Sequence, residues 1–320
     1  RSRRRIRHRS RRKEKDKGER IVTETAIIYG EQRDLGRYAL AHCVNALAAR
    51  GAEEFAAKAV FQIPAVRENT FLYDLKKKWK KMADTLPFFL EIRGTEGGKC
   101  PAISLPCALV TAEGRPGFAS PGIQGKPAAP ESRETPGRPE HLEQLDILVA
   151  GYAGLEGMLR ISQEKREVLA GRFAPSFLRL VESAEDQIFG LDIARAVRRA
   201  GIPVICHVGQ GGIFKALWEL SAWTGRGLEA DLKKIPVRQE TIEVCELFHI
   251  NPYQLTSAGC FLLAAADGEA AAERLARQQV EACVIGRLRG DNDKIVQNGE
   301  DVRFLDRPGL DEIWKLWQQE

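Results

Sequence analysis

The chain has 320 residues, 43% hydrophobic and 29% charged, which fits one large or, better, two ordinary globular domains and excludes a low-complexity polymer. No apolar run approaches the roughly 18–20 residues that a membrane-spanning helix needs, and the start holds no apolar stretch of the secretion-signal kind. The net charge of +5 belongs to residues 1–20, which carry 12 Lys or Arg against 3 Asp or Glu; the remainder holds 37 basic and 41 acidic residues.

That basic block repels itself and is expected to be a disordered tail. Its phosphate-binding capacity is weighed against the simpler reading of a solvated tail; no aromatic residue is interleaved with the arginines, so bases have nothing to stack on and nucleic acid is not the expected partner. The chain opens on Arg, which predicts that residues precede it. Seven cysteines, at 43, 100, 107, 206, 245, 260 and 283, form no CxxC pair, so a reducing cytoplasm is expected rather than a disulfide framework.

Residues 21–29 (IVTETAIIY) read as a strand rich in β-branched side chains. Residues 34–50 read as a helix with Asp34 as N-cap and Gly51 as its stop, and 56–63 as a buried strand ended by Pro64. A lysine-rich helix follows over 68–85, with Phe71, Leu72, Leu75, Trp79 and Met82 inward and a solvated basic face. Strands are predicted at 86–93 and 102–110. Residues 114–141 are rich in Gly and Pro and read as a linker. Beyond it the pattern gives strands at 145–150, 203–207, 227–232, 259–265 and 281–287, with helices at 158–170, 175–185, 188–200, 212–224, 238–248 and 268–278. Interleaved helices and strands argue a mixed α/β architecture.

The sharpest local feature is CHVGQGGIFKALWEL over 206–220, a strand that runs through Gly209, Gly211 and Gly212 into a helix. Glycine-rich amides at a helix start can hold a phosphate. Neither a Walker loop nor GxGxxG is present, so tight strand-to-helix packing explains the glycines equally. Other candidates also have two readings. His207 is a general base or a hydrogen-bonded strand-end residue. Glu156, in the turn GLEG, faces a cleft or caps a helix. Cys206 and Cys260 read as core, Glu240 and Glu243 as salt-bridging residues, and 251–253 and 257–259 as turns. No Cys–His–Asp trio is inferable.

The motifs GGIFKALWEL (211–220), LEADLKKIPVRQETIEVCE (228–246), INPYQLTSAG (250–259) and VIGRLRGDND with NGEDVRFLDRP (284–308) resemble the C-terminal domain of the aminoimidazole ribonucleotide synthetase (PurM-like) superfamily. DILVAGYAGLEGMLRI (146–161) resembles the opening of that domain, and the branch it is most similar to is the hydrogenase maturation factor (carbamoyl dehydratase) group and its relatives. Residues 34–64, TET (23–25) and IRGTEGG (92–98) resemble segments of the family's N-terminal domain more faintly.

The resemblance implies a two-domain α/β fold: a tail over 1–20, a truncated N-terminal domain over 21–113 with about four mostly antiparallel strands, a linker over 114–141, and a C-terminal domain over 142–320 with a helix-covered mixed sheet. Two copies are expected to pair sheet to sheet as a homodimer. It also implies ATP with Mg²⁺, and activation of an amide-type oxygen by phosphoryl transfer, which depends on charge neutralisation. Carried onto this sequence, the nucleotide positions are Glu24, Asn45, Gly94, Thr95, Glu96, Gly209, Gly211 and Gly212, the metal positions Glu24 and Glu96, and the catalytic positions His207 and Glu156. The sequence departs from the pattern at several of these. Ala46 replaces the aspartate of the family's Asn-Asp pair, Glu24 replaces an aspartate, Gly94 replaces a histidine, and His207-Val208-Gly209 stands for Asp-Val-Thr. The glycine-rich loop ahead of residue 21 is missing, and no cysteine ends the chain, so carbamoyl carriage is not expected. Arg33 and Arg37 are alternative phosphate ligands, or merely solvated. An enzyme with a weakened nucleotide site and a dimeric pseudoenzyme that has lost Mg-ATP both follow. The abrupt composition of 1–20 and 115–140 adds a third reading, frame-altered or truncated sequence.

Overall fold

A computed structural model describes residues 21–116 and 145–318, so the expected tail and most of the expected linker lie outside the described residues. The first half builds a four-stranded sheet from β1 (Val22–Tyr29), β2 (Ala52–Pro64), β3 (Leu90–Cys100) and β4 (Cys107–Pro116), in the order β1-β4-β2-β3. All neighbours are antiparallel except β2 and β3. Helices α1 (Leu35–Ala49) and α2 (Asn69–Met82) belong to the same half.

The second half is a seven-stranded mixed sheet in the order β11-β10-β7-β9-β5-β8-β6. Its strands are β5 (Asp146–Ala150), β6 (Val204–Val208), β7 (Gly227–Asp231), β8 (Cys260–Ala265), β9 (Ala282–Arg289), β10 (Lys294–Asn298) and β11 (Asp301–Phe304). Helices α3 (Leu155–Glu164), α4 (Arg166–Arg172), α5 (Pro175–Glu182), α6 (Leu191–Arg199), α7 (Gly212–Thr224), α8 (Gln239–Leu247) and α9 (Gly268–Ala276) complete it. The central strands are apolar throughout because both faces are covered. Phe261, Leu263 and Leu148 pack on the side of α1, α3 and α6, whereas Leu262, Ala264 and Ile147 pack with Ile213, Leu217 and Leu220 of α7.

Helix α1 joins the two halves. Thirteen of its fifteen residues are buried, so it has no solvent face and is held from both sides. One side rests on the four-stranded sheet and the other on β6 and α6. Each fully buried Leu-sized side chain there contributes about 1.5–3 kcal/mol, so the contact is a core and not a hinge.

Several predicted elements shift. The strands expected at 86–93 and 102–110 lie at Leu90–Cys100 and Cys107–Pro116. The apolar run 86–90 drew the prediction forward, while β3 continues through half-exposed Thr95, exposed Glu96 and two half-exposed glycines. The helix expected from 158 begins at Leu155, after Gly154 turns with φ +73°, and breaks at Lys165 into α3 and α4. The hairpin β10–β11 was not predicted, although Asn298-Gly299 marks its turn, with Gly299 at φ +68°. Asp34 starts α1 without capping it; its carboxylate accepts from Lys78 Nζ at 2.7 Å.

Candidate functional site

The last turns of β5 and β6 and the start of β8 meet at one edge of the large sheet, because β5 and β6 run parallel to each other and β8 runs against both. Helix α1 lies against this edge. Its inward side carries His42 and Asn45, three residues apart and therefore on one helical face.

Glu156, in the first turn of α3, is fully buried and accepts four hydrogen bonds. His42 Nε2 stands 2.8 Å from its Oε2, and Thr256 Oγ1 and the Ala258 N–H donate to the same oxygen at 2.7 and 3.1 Å. Arg160, one turn on, donates to Oε1 at 3.3 Å and to the Tyr29 carbonyl at 2.7 Å. Burial pushes this carboxyl up, but His42, Arg160 and the Thr256 hydroxyl outweigh it and hold the pKa down at about 2. Glu156 is therefore a fixed carboxylate, and it does not hold a proton for transfer near neutrality.

His207, at the end of β6, stands beside His42 with ring centroids 5.4 Å apart, edge to face, and 5.7 Å from the Phe261 ring. Asn45 is fully buried and engaged on both ends of its amide. Its Nδ2 donates to the Ile188 carbonyl at 2.8 Å and lies 3.4 Å from His207 Nε2, while its Oδ1 accepts from the Gly190 N–H at 2.9 Å. Gly209 passes so close to His42 that a Cβ there would sit 3.2 Å from Nδ1.

The glycine turn itself is closed by the chain. The Gly211 N–H donates to Asp311 Oδ2 at 2.6 Å, and the same carboxylate accepts from Ile313 and Thr256 N–H at 3.0 and 3.3 Å. Burial pushes the Asp311 carboxyl up, although these amides favour its charged form. Gly212 has φ +65°, and a Cβ on it would meet the Tyr253 carbonyl at 2.6 Å. Close packing against the 253–255 turn thus accounts for Gly212, and an internal carboxylate occupies the Gly211 amide.

The remaining expected ligands lie apart. Glu24 is on edge strand β1 and pairs with Arg50. Gly94, Thr95 and Glu96 are on β3, the opposite edge, opposite Lys58, Ala59 and Val60. Three strand spacings separate the two edges, on the order of 14 Å, so one protomer does not bring Glu24 and Glu96 to a common ion. Among the described residues no cluster of three or more His, Cys, Asp or Glu is placed to hold a metal. Four expected residues, Glu156, His207, Asn45 and Gly209, gather around His42. His42, Arg160, Thr256 and Asp311 were not singled out in the sequence. The available signals were the His-x-x-Asn spacing in an otherwise apolar helix and the Glu156–Arg160 spacing of four.

Residues 182–298 match the family "AIR synthase related protein, C-terminal domain". Carbamoyl dehydratase HypE of Rhodobacter capsulatus is 31% identical over 91 residues, 27% of this chain and 27% of its own length. The phosphoribosylformylglycinamidine synthase subunit PurL of Methanopyrus kandleri is 26% identical over 162 residues, 49% of this chain and 22% of its own length. Over these residues the chain is similar to proteins of the aminoimidazole ribonucleotide synthetase (PurM-like) superfamily. Its matches span about a quarter of the length of those two curated relatives. The PurM-like fold extends further than the sequence match. E. coli HypE, a hydrogenase maturation protein, superposes with a TM-score of 0.68 at 16% identity over 92% of this chain and 89% of that one. A HypE structure in complex with ATP gives 0.63 at 18% identity over 93% and 88%. No helix among the described residues is long and apolar enough to cross a membrane.

Proposed function

We propose that the chain is an ATP-using enzyme of the AIR synthase-related kind, a phosphoryl-transfer activator of an amide-type oxygen whose nucleotide site is weakened. The observation that carries this reading is the convergence of Asn45, His207, Gly209 and Glu156 at the junction of the two halves. Residues from both halves meet there, at the edge of the sheet where the strand-end turns collect. His207 is half-buried, and in this reading it is the group that meets substrate. Glu156 holds His42 in place beside it and is a positioning residue. The ATP-bound HypE neighbour supports a nucleotide in proteins of this fold. We read 21–113 as the N-terminal domain and 142–320 as the C-terminal domain, with a homodimer formed through the four-stranded sheet and a cytoplasmic location.

Magnesium does not fit the expected positions within one protomer. Mg²⁺ takes near-octahedral oxygen ligands and bridges phosphates to carboxylates, whereas Glu24 is paired with Arg50 and Glu96 lies across the sheet. The engaged state of Asn45 and of the Gly211 amide favours a second reading, a dimeric binding or regulatory module that has lost Mg-ATP.

Calorimetric titration with Mg-ATP separates the two. A dissociation constant tighter than about 100 μM, near −5.5 kcal/mol, that is lost in Glu24→Ala supports the enzyme. No heat at millimolar Mg-ATP supports the module. Sedimentation of the purified chain tests the dimer, and a monomer at micromolar concentration refutes it.

A further inference from the structure

Strand β11 (Asp301–Phe304) is the outermost strand of the large sheet, and no described strand pairs with its outer side. All four of its residues are exposed, Val302 at 57% and Phe304 at 66%. The opposite edge of the sheet, β6, is packed against α1. An open edge is a template for a further strand, and proteins commonly blunt it with Lys, Pro or a bulge. β11 holds neither Lys nor Pro, and its pairing with β10 runs without a register shift.

The backbone fixes which groups of β11 face outward. Phe304 lies opposite Ile295, Arg303 opposite Val296, Val302 opposite Gln297 and Asp301 opposite Asn298. The Leu305 N–H, one residue beyond, donates to the Lys294 carbonyl at 2.7 Å. Hydrogen-bonded and non-bonded pairs alternate along an antiparallel ladder. Arg303 and Asp301 therefore direct their backbone groups to β10, whereas Val302 and Phe304 turn theirs outward. Side chains alternate as well. Asp301 and Arg303 lie on the face of buried Val296, and Val302 and Phe304 on the face of half-buried Ile295.

A second copy of β11 obeys the same rule, so in an antiparallel pair outward residues must meet outward residues. Among the registers that overlap the middle of the strand, those centred on Asp301 and on Arg303 set a charge against its own copy. The register centred on Val302 instead places Asp301 of each copy opposite Arg303 of the other. Val302 then meets Val302, with Phe304 diagonal to it on the same face. Opposite charges facing across strands stabilise a pair and like charges destabilise it. We propose that β11 is a self-association edge: two copies of this chain pair it antiparallel about a two-fold axis at Val302, and the large sheet continues from one copy into the other. This interface is separate from the dimer through the four-stranded sheet and does not depend on the nucleotide reading. A strand pair of this length buries less than the roughly 1,000 Å² that a stable interface clears, so the dissociation constant is expected on the order of 100 μM.

Sedimentation equilibrium of the whole chain, up to about 1 mM and at low, constant ionic strength, tests the proposal. The wild type is expected to associate as its concentration rises. Val302→Lys, which sets two ammonium groups against each other at the axis, is expected to weaken association at least about tenfold. Asp301→Arg and Arg303→Asp are each expected to weaken it about tenfold, because each opposes like charges at two places. All three substitutions change exposed residues, so melting temperatures should match the wild type. Mixing the Asp301→Arg chain with the Arg303→Asp chain restores opposite charges at both places, and the mixture is expected to regain association. A role confined to one chain would give no such recovery. Where the dimer through the four-stranded sheet also forms, the single variants fall back to that dimer; where it does not, they fall back to the monomer; both support the edge pairing. The same sedimentation for wild type and Val302→Lys at every concentration, or a mixture no heavier than its two components, overturns the proposal.

Discussion

Replacing Glu156 by Gln removes the charge on which four donors converge while keeping the side-chain volume. Two results follow at neutral pH. Arg160 and His42 remain buried without their carboxylate, and the new amide presents an N–H₂ toward groups that are themselves donors. Breaking a buried, hydrogen-bonded charge cluster in this way costs about 3–5 kcal/mol. The same contacts set the carboxyl's acidity, lowered from 4.5 to about 2. At about 1.36 kcal/mol for each tenfold in proton affinity, that is roughly 3 kcal/mol. Folding lowers this pKa, so the stabilisation is complete above about pH 5 and is lost as pH falls toward 2. Urea unfolding of wild type and Glu156→Gln between pH 7 and pH 3 checks both figures. The gap should be about 3 kcal/mol or more at pH 7 and should shrink by more than half at pH 3. A gap below about 1 kcal/mol at pH 7, or one that does not change with pH, would refute the account of Glu156 as a clamped carboxylate joining the two halves.

Asn45→Ala leaves the buried Gly190 N–H without its acceptor, which should lower stability by about 1–3 kcal/mol in the same urea assay. Asp311→Asn keeps one acceptor oxygen but turns an N–H₂ toward either the Gly211 N–H or the Ile313 and Thr256 N–H groups, and it removes a carboxylate whose pKa burial has raised. A raised pKa means stability that is present at low pH and lost as pH rises. At pH 7 the Asn variant, with at least one buried N–H facing an N–H₂, should lose about 1–3 kcal/mol, and Asp311→Ala, which removes the acceptor of three N–H groups, should lose at least as much, as thermal unfolding will show. Gly212→Ala combines a left-handed backbone with a 2.6 Å approach to the Tyr253 carbonyl, and should cost more than about 2 kcal/mol. Gly201→Ala, at φ +66° with nothing within 4 Å, should cost only about 1–2 kcal/mol; equal losses would show that backbone strain alone governs the glycine turn.

The sequence by itself determined which segments are helix and strand, because 3.6-residue and all-apolar patterns are local. It set α1, α7 and β8 within a residue or two of their observed bounds. It also singled out Gly209, Gly211, Gly212, His207 and Glu156, because they sit in two strand-to-helix turns, 206–212 and 151–157. Boundaries failed where chemistry was weak, as in polar β3, or where a turn glycine was misassigned, as at Gly154.

Only the tertiary structure decided what those residues do. His42 meets Glu156 across 114 positions, and Asp311 meets Gly211 across 100; no local pattern encodes such pairings, because they depend on how α1 and the last segment dock on the large sheet. The same holds for the separation of Glu24 from Glu96. Both are acidic strand residues, alike by spacing and charge, and only the order β1-β4-β2-β3 puts them on opposite edges. The physical reason is range: backbone propensity acts over a few residues, while the competition for a buried hydrogen bond is settled by whichever groups the packed core brings within about 3 Å.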